Sequence, residues 1–178
     1  MTDRERAKME KIRNHCGALA DVITAVKSIH EKAEAPQKAF IETMIGAAIW
    51  YIPKPPNAWT GRISKAALKS FHSTSGIEKP RFSEEHIYPR KVAARLLIER
   101  KELNGPALFK LFTEKFGRLH YITPDENKAV IRFQKDAVFT EPETAYLQAG
   151  IDLVEVNAED LRSIKKRDDA TIERYTNA

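Results

Sequence analysis

The stretch RLHYITPDENKAVIRF, residues 118–133, decides the fold. Its first six residues are mostly β-branched, aromatic or polar, and they lie between Gly117 and Pro124, which is the composition of a short strand. Thr123 then starts a helix. Thr123 and Glu126 stand in capping-box register, and Pro124 takes the first helical position, where its missing N–H is no loss. A strand that runs directly into a capped helix needs a pairing strand, and RFSEEHIY, residues 81–88, supplies one upstream, ending at a turn on Pro89.

Around this pair the patterning is helical. Met9, Ile12, Cys16, Leu19, Ile23 and Val26 recur at steps of three and four, which predicts one long amphipathic helix over residues 3–32. Pro36 opens a second helix whose buried face is Phe40, Ile41, Met44, Ile45, Ala48 and Ile49. PKPPNAWTG, residues 53–61, interrupts the chain, and Ser64 caps a short third helix, KAALKSF, that stops at HSTSG. RKVAARLLIERKE and ALFKLFTEKF predict two helices between the strands. Thr140, Pro142 and Glu143 repeat the helix-start signal, IDLVEV (151–156) is a candidate strand, and the charged tail from Asn157 is helical in pattern. The expected fold class is α+β, mostly helical. The expected regions are 1–72, helical; 73–156, the strand–strand–helix unit with a helical insertion; and 157–178, a charged helix or tail.

Composition narrows the function. The chain of 178 residues carries a formal charge of +5, with 31% of residues charged, and a basic balance favours partners that carry phosphate. The single cysteine, Cys16, excludes an internal disulfide and a cysteine-based zinc site, and it indicates the cytoplasm. The amino terminus is charged from its third residue, unlike a signal peptide, and the most apolar run, MIGAAIWYI (44–52), is too short for a bilayer. The sequence contains no G-x-S-x-G, G-x-G-x-x-G or P-loop motif.

EHIYP, residues 85–89, reads acid, histidine, apolar, any residue, proline, and YITPDENK places Asn127 near the start of the following helix. In these motifs and their order, about residues 81–135, the sequence resembles the HNH, or His-Me finger, nuclease superfamily, as a divergent member with a ββα-metal-like finger in its second half. The resemblance implies His86 as general base, Glu85 and Asn127 as ligands of Mg²⁺ or Mn²⁺, and hydrolysis of DNA, with RNA left open. A role in restriction or phage defence follows from the same resemblance. The chemistry requires such groups: a histidine takes the proton of the attacking water, and a cation with oxygen ligands stabilises charge on the departing oxygen. Arg90, Lys91, Arg118, Lys128 and Arg132 would form the phosphate cradle. Glu85 stands where aspartate is more usual, and Gly117, Arg118 and Leu119 fill the loop that in the family holds an asparagine.

The alternative reading is a non-catalytic basic module for nucleic acid or protein, with a degenerate finger. In that reading His86 and His120 are ordinary structural residues and the bases are solvated helix faces. A third reading is a protein toxin or its partner. Each leaves the amino-terminal helices as a surface for a protein partner or for self-association, with Trp50, Tyr51 and Trp59 as packing groups. No membrane partner is expected.

Overall fold

The computed structural model of the chain describes residues 1–135 and 139–177. Its elements in chain order are α1 (Asp3–Lys32), α2 (Ala35–Tyr51), β1 (Trp59–Ser64), α3 (Lys65–Phe71), β2 (Ser83–His86), α4 (Arg90–Ile98) and α5 (Gly105–Leu111). A π-helical turn over Phe112–Phe116 extends α5, and β3 (Leu119–Ile122), α6 (Pro124–Ile131), α7 (Pro142–Gln148), β4 (Leu153–Glu155), α8 (Ala158–Lys165) and α9 (Asp169–Thr176) follow. The class is α+β, mostly helical, with a small mixed sheet. Among the described residues no helix is long and apolar enough to cross a membrane.

The elements gather into two compact units that alternate along the chain. One holds residues 1–58 and 88–118, the other 59–87 and everything described from Leu119 onward. The first is helical. Thr2 and Glu5 form a capping box at the start of α1, and the stripe Ile12, Cys16, Leu19, Ala20 and Ile23 packs with Ile41, Ile45 and Ile49 of α2 and with Leu97 and Ile98 of α4. Leu108, Phe112 and Phe116 close this core. Burial pushes the Cys16 thiol up to about 11, so it is a packing residue and a poor nucleophile. Gly46 allows α2 and α4 to touch: a Cβ there would lie 2.9 Å from the carbonyl oxygen of Arg90. The Arg90 guanidinium lies 3.9 Å from the centre of the Trp50 ring, a cation–π contact.

The second unit carries the sheet, in the order β2-β3-β1-β4. β3 pairs antiparallel with β2 and parallel with β1, and β4 runs antiparallel to β1. Alternation divides the strands between two faces. Ile63 and Tyr121 pack on the side of Ala67, Leu68, Phe71, Leu161, Ile164 and Ile172, from α3, α8 and α9. Ile122 packs on the other side with Val130, Ala145, Tyr146 and Ile151, under α6 and α7.

The structure departs from the sequence reading in four local features. β1, a central strand, begins inside the stretch read only as a break; its Gly61 has φ 92° and hides the alternation of Trp59, Gly61 and Ile63. α6 ends at Ile131, and Arg132, expected within the helix, is its C-cap. Glu141, not Thr140, precedes the first turn of α7, because Pro142 takes the first helical position and the N-cap is the residue before it. The tail is two helices, separated at Arg167, whose φ of 62° ends the right-handed path.

Candidate functional site

The start of α6 is held by three hydrogen bonds around Glu126. The backbone N–H of Glu126 donates to Thr123 Oγ1 at 3.2 Å, and Glu126 accepts from the Thr123 N–H at 2.7 Å. The same Glu126 oxygen accepts from Ser64 Oγ at 2.6 Å, and Ser64 in turn caps α3 by accepting from the Ala67 N–H at 3.0 Å. The phase of α6 is thereby tied to β1, and the next residue, Asn127, turns toward β2. Thr123→Ala should therefore cost about 1 kcal/mol of stability, the usual worth of an N-cap side chain, read as a lower urea midpoint with an unchanged slope.

Asn127 Nδ2 donates to Ser83 Oγ at 3.1 Å, and its amide lies close enough to the Glu85 carboxylate to favour the charged form. Glu85 is buried and accepts a second bond from Gln134 Nε2 at 3.0 Å. Desolvation pushes the Glu85 carboxyl up to about 6, because burial disfavours the charged form; the bonds from Gln134 and Asn127 act in the opposite direction. Across the β2–β3 ladder Glu85 is paired with His120, also buried, and a 2.6 Å hydrogen bond joins His120 Nδ1 to Thr60 Oγ1. The His120 ring meets the Tyr146 ring edge-on at 5.0 Å. Tyr146 is buried, and among the described residues its hydroxyl has no hydrogen-bond partner. Desolvation, with the nearby charges of Glu85 and Glu143, raises the Tyr146 phenol beyond its ordinary range, so it stays neutral.

The two expected metal ligands, Glu85 and Asn127, are thus in contact. His86, the expected base, is the last residue of β2, is paired with Leu119 and is half-buried. Strand alternation sends its side chain to the face opposite Glu85. The five expected phosphate contacts fall on different units: Arg90, Lys91 and Arg118 on the first, Lys128 and Arg132 on the second. Lys128 and Arg132 are exposed, Lys128 at 3.3 Å from Asp125 and Arg132 over the Phe133 ring at 4.6 Å.

No known family, curated protein or solved structure matches the chain.

The oxygen groups at the site are the Glu85 carboxylate and the Ser83 hydroxyl, while Asn127 and Gln134 turn their amide nitrogens toward it. Such a set fits Mg²⁺ or Mn²⁺ better than zinc, since magnesium takes oxygen ligands, keeps several waters and needs one or two protein groups. Among the described residues no three His, Cys, Asp or Glu side chains gather into a cage for a metal ion. Asn127 presents its Nδ2 to Ser83 and Glu85; a half-turn of the amide presents Oδ1 instead. Gln134, Tyr146 and Thr60 were not singled out in the sequence. Gln134 lies past the end of α6 and Tyr146 on a separate helix, so no spacing rule links either to EHIYP.

Proposed function

We propose that the chain is a metal-dependent endonuclease of the HNH type that hydrolyses phosphodiester bonds of DNA, with Glu85 and Asn127 holding Mg²⁺ or Mn²⁺. The observation that supports this reading is the contact between these two side chains. They come from separate motifs and meet between the β2–β3 pair and α6. The bound cation would stabilise negative charge on the departing oxygen. Glu85 is ionised above about pH 6 and so available as a ligand at neutral pH. His86 is assigned the proton of the attacking water, and the exposed Lys128 and Arg132 the phosphates of the strand. Arg90, Lys91 and Arg118 are assigned further phosphate contacts, and the setting proposed is restriction or phage defence.

A second reading, a basic nucleic-acid-binding or protein-interaction module that does not cut, is favoured by one observation: His86 and Glu85 leave β2 on opposite faces. Incubation with supercoiled plasmid and single-stranded DNA in Mg²⁺, Mn²⁺ or EDTA separates the two. The nuclease reading expects nicking that EDTA stops. A salt-sensitive shift of DNA with no nicking in either metal would leave the binding module in its place.

A further inference from the structure

We propose that the outer face of the α1–α2 pair is a dimer interface, on which a second copy of the chain docks about a two-fold axis to complete a four-helix bundle. The inference stands apart from the nuclease reading and concerns residues with no part in the candidate site.

The two helices carry more apolar surface than their core uses. α1 packs inward through Ile12, Cys16, Leu19 and Ile23, yet Ala18, Val22, Ala25 and Ile29 form a second stripe at steps of four, three and four, and all four are exposed. In α2 only Lys38 and Glu42 are charged, and Glu42 is buried against His30 at 3.1 Å. Phe40 and Met44, which the sequence pattern assigned to the buried face, are 63% and 48% exposed, and Tyr51 is 83% exposed. A helix that is apolar all round belongs in an interior, with both of its faces covered. In α2 one of them is bare.

The two stripes share one furrow. Ile29 and Phe40 line one end and Val22 and Tyr51 the other, because α2 runs back along α1. Val22, Ile29, Phe40, Met44 and Tyr51 together expose about 600 Å², the upper end for the bare patch of an ordinary monomer and most of the roughly 800 Å² that each partner buries in a standard interface. Apolar steps of three and four on both helices are the spacing of a bundle seam. The exposed charges beside the furrow are of both signs, Asp21 and Glu31 with Lys11 and Lys32. They form no cluster of bases to draw nucleic acid, although the chain as a whole is at +5. A two-fold contact lays one face on its own copy, and a face of mixed charge meets its copy without like-charge repulsion.

Sedimentation equilibrium of the full chain at micromolar concentrations tests this, and the expected wild-type mass is that of two chains. Val22→Glu on α1 and Phe40→Glu on α2 each enter the interface twice and place an unpaired carboxylate within it. Each should raise the dimer dissociation constant by about 100-fold or more, with the circular dichroism of wild type, since both side chains are more than half exposed. Tyr51→Ser, at a still more exposed position, asks the same question should either glutamate variant lose its fold. Leu147→Glu, 79% exposed on α7 of the other unit, is the control and should remain dimeric. A wild-type chain that is monomeric throughout overturns the proposal and leaves the face to a partner of another kind. A dimer that survives these substitutions in folded protein also overturns it, as does one that Leu147→Glu dissolves, since either would put the contact elsewhere.

Discussion

Glu85→Gln is expected to stabilise the sheet-bearing unit at pH 8 and to abolish cation-dependent cleavage. The carboxyl has its folded pKa raised from 4.5 to about 6 by burial. A group so shifted holds its proton more tightly in the folded state, so its contribution to stability is best below about pH 4.5. That contribution declines as pH rises through 6 and stays at its lower value beyond. The shift corresponds to about 2 kcal/mol at pH 8. Glutamine carries no charge at any pH and keeps an oxygen to accept from Gln134 Nε2, so it should recover most of that amount. Urea denaturation of both proteins at pH 5 and pH 8 measures it: wild type should lose stability between the two pH values and Glu85→Gln should lose less. Equal losses would mean that Glu85 is not the source. Cleavage should fall by about 100-fold or more with the ligand gone.

The second large effect is on chemistry alone. His86→Ala should lower cleavage by about 10²- to 10⁴-fold, the usual contribution of a positioned base. Its circular dichroism and melting temperature should match wild type, since His86 is half-buried at the end of a strand. His120 is the informative contrast. It lies on the face of Glu85, is 3% exposed and is bonded to Thr60, so His120→Asn should lose stability as well. Cleavage that survives in His86→Ala and vanishes in folded His120→Asn would move the base across β2 to His120. Loss in His86→Ala alone keeps the assignment and requires the end of β2 to turn when DNA binds.

The helices were the legible part of the fold. α1 has an unbroken three–four spacing from Met9 to Val26, and α6 has a cap, a proline and a glutamate in register; both are local signals that tertiary packing had no reason to override. β1 was hidden because WTGRIS is short, contains a glycine at positive φ and follows three prolines, and because its pairing partners are far away in sequence. Of the three passages between the two units, the first, from Ala58 to Trp59, lies in the proline-rich break, but those from Ile87 to Tyr88 and from Arg118 to Leu119 have no linker or composition shift to announce them. At the candidate site, Glu85 and Asn127 could be named from motif and cap. Gln134 and Tyr146 could not, because one lies past the end of α6 and the other on α7, and only tertiary packing brings them near Glu85.

That alternation has a consequence for how the molecule is made. A ribosome delivers α1 and α2 first, yet their apolar stripes stay uncovered until α4, α5 and the turn through Phe116 have emerged. β1, α3 and β2 are delivered in the interval and wait in their turn for β3, which pairs with both strands. Two half-built cores are therefore exposed together on the nascent chain; the helical one closes as residues 90–116 appear, and the sheet-bearing one only after α6 to α9 have followed. Translation that stalls before Leu119 leaves the candidate site unbuilt, because Glu85 then has neither His120 nor Asn127 to meet.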